Sequence, residues 1–281
     1  MREIDVSLIQ DAIKRMVMKI NIEYPQDLQT CMQQAYENEQ HPIAKSTLSF
    51  LLKNASIAKE EQLPICQDTG MAIVFLTIGQ EVHLIGGSLS EAVNQGVAQG
   101  YAEGYLRKSV VDDPLFERIN TKNNTPAILY TTIVEGDQVE ILVGAKGFGS
   151  ENMSTITMLK PAQGLQGVKD TVLQAIRHAG PNACPPMVVG VGIGGTFDYA
   201  AVLAKKATLR EELHNPDPRY AQLEEELVQE ANALGIGPQG MGGDTTVFRI
   251  NIEQYPTHIA GLPCAVNISC HVTRHAKEVI K

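Results

Sequence analysis

Three short stretches of the 281-residue chain carry side chains with chemistry to offer: "PICQDTG" at 64–70, "GPNACPPMVVGVGIGGTFD" at 180–198 and "NISCHVTRH" at 267–275. The second holds two signals of different kinds. Gly190, Gly192 and Gly195 fit G-x-G-x-x-G, the spacing that cradles a dinucleotide pyrophosphate, whereas Cys184 just upstream is by type a metal ligand or nucleophile. A strand running into a helix supports the nucleotide reading. That unit also needs a second parallel strand after its helix, and here Asn215 to Pro218 leads into another helix instead. Glycines that permit tight strand-to-helix turning are the better reading.

The remaining short patterns fail on a missing partner. Asp68-Thr69-Gly70 is the triplet of aspartic proteases, but no second copy exists to share the proton. "GAKGFGS" at 144–150 opens like a phosphate loop and lacks the Gly-Lys-Ser/Thr ending. His271 and His275 would face one way on a helix, as zinc ligands can, near Cys264 and Cys270. Their surroundings read as the end of a strand, and no Glu follows the first His as metalloprotease chemistry requires. A zinc-bound binding module and a nucleotide-dependent oxidoreductase therefore stay open as alternatives. The five cysteines are an odd number in a chain without export features, which points to reduced thiols. Cys31 sits in a helical pattern and reads as structure. Cys66, Cys184 and Cys270 each fall in a polar or Pro-containing turn, too dispersed for spacing alone to make them a cluster.

These residues must be positioned by the elements around them. Apolar residues recurring at three and four in "VSLIQDAIKRMVMKI", and "PIAKSTLSFLLKNASIAKEE" after its Pro start, predict a helical subregion over 1–60. "MAIVFLTIG" and "EVHLIGG" read as strands, "SLSEAVNQGVAQGYAEGYLRKS" as a Ser-capped helix, and "AILYTTIVEGDQVEILVGAKG" as a hairpin turning at Glu135-Gly136-Asp137. Beyond these come a helix near "GLQGVKDTVLQAIRHAG", the strand "PMVVGVGIGG" and two helices in succession. "TTVFRINIEQ" and "PCAVNISCHV" then read as an antiparallel pair. The expectation is one domain spanning 1–281, α/β (α+β) in class, with a mixed, largely antiparallel sheet and many helices.

Composition narrows the function. A charged fraction of 20% and a hydrophobic fraction of 43% suit a soluble globular protein, and no run reaches the ~20 apolar residues of a membrane span. The start lacks a signal peptide's apolar core, so a cytoplasmic protein is expected. A formal net charge of -9 without a basic cluster argues against nucleic acid, yet leaves room for a small anion held by a few Arg residues.

"LPICQDTGMAIVF", "GYLRKSVVDDPL", "GAKGFGSENMSTITMLKPAQG", "NACPPMVVGVGIGGTFDYAAVLAKKA" and "VNISCHVTRHA" together closely resemble, in order, the catalytic domain of class I fumarate hydratases and the related L-tartrate dehydratases. The resemblance implies an oxygen-sensitive 4Fe-4S cluster held by three cysteines, matched here by Cys66, Cys184 and Cys270, with one iron lacking a protein ligand. It implies a hydro-lyase interconverting fumarate and L-malate, a step of the tricarboxylic acid cycle, with L-tartrate to oxaloacetate as the alternative. Asp68 matches the family's acid/base residue, although capping a turn is its plainer role. Gln67 matches a substrate-contacting amide, and Arg107 the clamp on a dicarboxylate, for which a bidentate guanidinium is suited. Lys146, Gly147 and Gly149 match the Gly-rich block near substrate, and His271 and Arg274 fall beside a ligand. The chain stops soon after "CHVTRHAKEVIK", where long single-chain members continue into a further domain. The expectation is an α subunit completed by a separate β subunit in a heterotetramer or larger assembly.

Serine at Cys66, Cys184 or Cys270 is expected to abolish retention of iron and sulfide after anaerobic reconstitution, while Cys31→Ser and Cys264→Ser retain both. Equal iron loss from Cys264→Ser would overturn this ligand set.

Overall fold

The two longest uninterrupted apolar strands set the architecture. In the computed structural model, which describes residues 1–280, the elements in chain order begin with β1 (Arg2–Asp5), α1 (Val6–Ile22), α2 (Gln26–Asn38), α3 (Pro42–Glu61), β2 (Met71–Gly79) and β3 (Val82–Ile85). They continue with α4 (Leu89–Glu103), β4 (Ile128–Val134), β5 (Val139–Lys146), α5 (Phe148–Glu151), β6 (Thr155–Leu159) and α6 (Gly164–Ala179). β7 (Met187–Gly195), α7 (Phe197–Ala207), α8 (Pro218–Asn232), β8 (Val247–Thr257), β9 (Leu262–Ser269) and β10 (His275–Ile280) complete the order. The expected mixed α/β arrangement with many helices and a helical start is present, distributed over three sheets with four antiparallel and three parallel pairings. A short strand precedes the first helix, pairing parallel with β3.

The chain forms two compact units. One comprises 1–25, 55–147 and 274 onward, and the other 26–54 and 148–273. In the first, the strand order is β10-β5-β2-β4, with β2 parallel to β4 and antiparallel to β5. The apolar face of α1, including Ile9, Ile13, Val17 and Ile20, joins Val93 and Val97 of α4 and Val74, Leu76, Ile141 and Val143 of the sheet in one core. In the second, the order is β6-β9-β7-β8, with β7 parallel to β8 and antiparallel to β9. Val172 and Ile176 of α6, Leu227 of α8, and Val189, Val191, Ile250 and Val266 of the strands fill its core.

Two sequence expectations are corrected by this pairing, and for one reason. β4 and β5 flank the expected turn but are not neighbours, because β2 lies between them, and β8 and β9 are likewise separated by β7. β2 and β7 are buried along almost their whole length, whereas β4 is largely exposed. A strand apolar on both faces belongs at the centre of a sheet, and a strand with one wet face can take an edge. Burial therefore outranks adjacency in sequence. The outer edge of β8 is closed by side chains: Glu224 accepts the Ile252 N–H at 2.6 Å, and Asn215 donates to the Ile252 carbonyl at 2.7 Å.

The glycines that resemble a nucleotide fingerprint serve packing. A β-carbon on Gly190 would lie 2.0 Å from the Ala204 carbonyl oxygen, and one on Gly192 the same 2.0 Å from that of Ala200. Their absence lets α7 lie directly on β7. A parallel strand does follow, as β8, only after both α7 and α8. Among the described residues no helix is long and apolar enough to cross a membrane.

Gly190→Ala is expected to cost about 1–3 kcal/mol or more through forced separation of helix and strand. Gly261→Ala, where an added carbon meets nothing closer than 3.9 Å, should be nearly neutral, and urea unfolding followed by circular dichroism compares the two.

Candidate active site

In the first unit three of the candidate side chains, those of Cys66, Gln67 and Asp68, lie on the turn between α3 and β2. Ile65 anchors its start by donating its N–H to the Asn21 carbonyl at 2.9 Å. Cys66 follows, half-buried, with the Asp68 N–H directed at its sulfur at 3.4 Å, and Gln67 is exposed. Asp68 Oδ1 accepts the Gly70 N–H at 3.0 Å, so the carboxylate does cap its turn. Its other oxygen lies 3.1 Å from where a Gly147 side chain would begin. Gly70 has φ of 76°, and any β-carbon there would sit 2.8 Å from the Lys146 nitrogen. The turn is thus pressed against the end of β5.

Buried donors hold the turn's backbone. Arg274, only 2% exposed, donates through Nη1 to the Asp68 carbonyl at 2.8 Å and to Asn21 Oδ1 at 2.9 Å. The Tyr101 hydroxyl of α4 is shared between the carbonyls of Thr69 at 2.7 Å and Gly70 at 2.9 Å. Asn124 donates to the same Gly70 carbonyl at 3.1 Å. Arg107 presents an exposed side chain while its carbonyl accepts the Thr69 hydroxyl at 2.7 Å. Lys146 is buried and donates to the Gly147 carbonyl at 3.1 Å. Two buried cations, Arg274 and Lys146, therefore pack against this turn and the end of β5. Arg274 Nε is buried and has no hydrogen-bond partner among the described residues.

In the second unit, Cys184 is exposed at the end of a tight turn, in the left-handed region with φ of 51°. His271 ties the segment after β9 to that turn. Its N–H donates to the Cys184 carbonyl at 3.2 Å, and its ring Nδ1 lies 2.9 Å from the same oxygen. Gln239 fastens the other side, donating its backbone N–H and its amide to the Pro185 carbonyl, each at 2.8 Å. Cys270 is half-buried, and its carbonyl accepts the Thr273 hydroxyl at 2.8 Å. Gly149 is exposed on α5, which is anchored by Glu151 to Lys205 of α7 and to Asn267 of β9. Burial lowers the Lys205 pKa while Glu151 raises it.

The other two cysteines sit in different surroundings. Cys264 is wholly buried on β9 with its thiol pushed up to about 12 by burial, and burial likewise raises the thiol of Cys31. Residues 271–274 are not helical, so the spacing of His271 and His275 does not place them on one helix face. Among the described residues, no group of three His, Cys, Asp or Glu side chains is gathered as a metal site would need. Cys66 belongs to the first unit, and Cys184 and Cys270 to the second.

Sequence reasoning missed Tyr101, Asn21, Asn124 and Gln239. Asn21 alone left a trace, as a polar residue on the apolar face of α1. Tyr101 occupies an ordinary core position of α4, and Asn124 and Gln239 sit in turn-rich runs where such residues are common.

Tyr101→Phe should lower stability by about 1–3 kcal/mol, because two buried carbonyls lose their shared donor. Burial pushes the Tyr101 phenol from its ordinary 10.0 up to about 12, so its contribution is full below pH 10 and is lost as pH rises toward 12, where the unfolded chain ionises first. Urea unfolding across that range should show a fall in the parent protein that is smaller in Tyr101→Phe.

The family model described as fumarate hydratase (Fumerase) matches residues 10–279. A protein of Methanocaldococcus jannaschii named "Putative L(+)-tartrate dehydratase subunit alpha" is 42% identical over 281 aligned residues, covering 97% of this chain and 98% of that protein. The L(+)-tartrate dehydratase subunit alpha of Escherichia coli strain K12 is 31% identical over 280 residues, covering 98% of this chain and 91% of its own length.

Proposed function

Since the chain belongs to the fumarate hydratase (Fumerase) family, we propose that it is the α subunit of an iron-sulfur hydro-lyase that hydrates fumarate reversibly to L-malate. In this reading a separate β subunit completes the enzyme in a heterotetramer or larger assembly. The names of the relatives support L-tartrate dehydration to oxaloacetate at least as well, and that is the second reading. L-Tartrate is L-malate with one more hydroxyl, so the same side chains would do the same work on either.

The donor chemistry fits a 4Fe-4S cluster. Cys66, Cys184 and Cys270 are in no disulfide and each keeps some exposed surface, unlike the buried Cys264, and cysteine sulfur is the donor that such clusters take. When bound through these three, such a cluster has one iron without a protein ligand and supplies a Lewis acid for the departing hydroxide.

The observation that carries the reading is the turn that sets Asp68 beside Cys66 and among buried cations. Elimination removes a proton from the carbon next to a carboxylate, and this needs a positioned base. One Asp68 oxygen accepts the Gly70 N–H, which fixes the orientation of the carboxylate, with its other oxygen on the Gly147 side. The Arg107 guanidinium is exposed to grip a substrate carboxylate in bidentate fashion, with the Gln67 amide as a further donor. Lys146 offsets the negative charge that grows on the substrate as the proton leaves. The bare backbone of Gly147 and Gly149 allows a ligand to come close. In a chain of net charge -9, a dianion can be held only by such local cations.

Anaerobic reconstitution with the β subunit, followed by assay on fumarate, L-malate and L-tartrate, tests this. Partner-dependent turnover, iron with matching sulfide and visible absorbance lost in air are expected, with the ratio of kcat/KM values choosing between substrates. Asp68→Asn should lower kcat by roughly 10²–10⁴-fold with the cluster retained. Bound zinc without sulfide, or full activity from the chain alone, would overturn the corresponding part of the reading.

A further inference from the structure

We infer that Asn124 is a positioning residue for the reaction, tying the segment that carries Arg107 to the turn that carries Asp68. This rests on the substrate-clamp role proposed for Arg107. The chain between α4 and β4 is an irregular arm with a single isolated bridge, Val111 to Asn120, and an exposed tip at Leu115 and Phe116. Its order comes from local bonds: Asp113 accepts the N–H of Leu115 at 3.2 Å, and Asp112 donates its N–H to the Ile119 carbonyl at 2.8 Å. Neither fixes where Arg107 stands relative to Asp68.

Two side chains do. The Thr69 hydroxyl donates to the Arg107 carbonyl at 2.7 Å. Asn124, with no exposed surface, accepts the Ser109 N–H through Oδ1 at 2.7 Å and donates through Nδ2 to the Gly70 carbonyl at 3.1 Å. Ser109 is two residues past Arg107 and Gly70 two residues past Asp68, so a single amide spans the bases of both functional segments. The residue adopts φ of 62°, a left-handed conformation in which Asn is among the better-tolerated residues. Its carbonyl and amino groups point to opposite tasks, and an aspartate there would keep the first while opposing a carbonyl with a negative charge. The bond it makes to Gly70 is backed by the Tyr101 hydroxyl on the same oxygen. Loss of the Asn124 side chain therefore leaves that carbonyl partnered and the turn in place, while Ser109 loses its tie to the turn and the arm's base is held to it more weakly, through the Thr69 hydroxyl.

Asn124→Gly isolates this tether, since glycine accepts the backbone conformation and removes only the two side-chain bonds. In the reconstituted complex it should leave iron, sulfide and far-ultraviolet circular dichroism unchanged. KM for the dicarboxylate should rise about tenfold, the worth of two modest hydrogen bonds, with kcat within about threefold of the parent. Combined with Arg107→Ala it should add nothing to the effect of Arg107→Ala alone, because both act through one clamp. Trypsin should cut after Arg107 and Lys108 faster in the Asn124→Gly chain than in the parent. Unchanged KM with unchanged cutting, or fully multiplicative effects of the two substitutions, would overturn the inference. If the complex turns over none of the three dicarboxylates, the functional reading fails, and the tryptic comparison still decides whether Asn124 holds the arm.

Discussion

Three consecutive backbone carbonyls, those of Asp68, Thr69 and Gly70, are each capped by a donor on a buried side chain from elsewhere in the chain. Arg274 precedes β10, Tyr101 lies on α4 and Asn124 at the foot of the arm. A buried carbonyl without a donor is costly, so the turn has little freedom to adopt another path once these three are in position. The same turn carries the thiol, the carboxylate and the amide to which chemistry is assigned. Its backbone path is held by these three side chains and not by the turn's own bonds alone.

The two units reach similar sheets from different sequences. In each, a fully buried strand takes the centre, a helical crossover leads to a parallel strand on one side, and the next strand returns antiparallel on the other. In the second unit the close seat of α7 on β7 is possible only because Gly190 and Gly192 lack side chains. A pattern that reads as phosphate chemistry is thus the sequence record of helix-on-strand packing, with Cys184 delivered by the turn just before it.

Much of this was legible. Helical periodicity located α1, α3, α6 and α8, and apolar runs located β2 and β7, because burial of one face imposes those patterns directly. Strand neighbours were not legible: Glu135 to Asp137 does form a turn, yet the strands it joins are parted by β2, a competition settled only when all strands are present. Within the site, Cys66 and Cys184 stood out by their turns, and the roles of Asp68 and Arg107 came from the resemblance of whole blocks. Tyr101 and Asn124 were invisible, since a tyrosine on a helix's core face and an asparagine in a turn look the same whether or not they cap a functional carbonyl.

The segment from Arg274 through β10 belongs to the first unit although it follows the whole of the second in the chain. β10 pairs with β5 along its length, and Arg274 holds the Asp68 carbonyl. A ribosome makes the chain from its N-terminus, and the segments made first ordinarily fold first. Here the first unit must wait, its sheet lacking one strand and its turn one cap, until the other unit's residues have all been made. The turn between α3 and β2 is therefore among the final features of the molecule to become ordered during synthesis, and a nascent chain interrupted before residue 274 carries Cys66 and Asp68 on a turn that is not yet fixed.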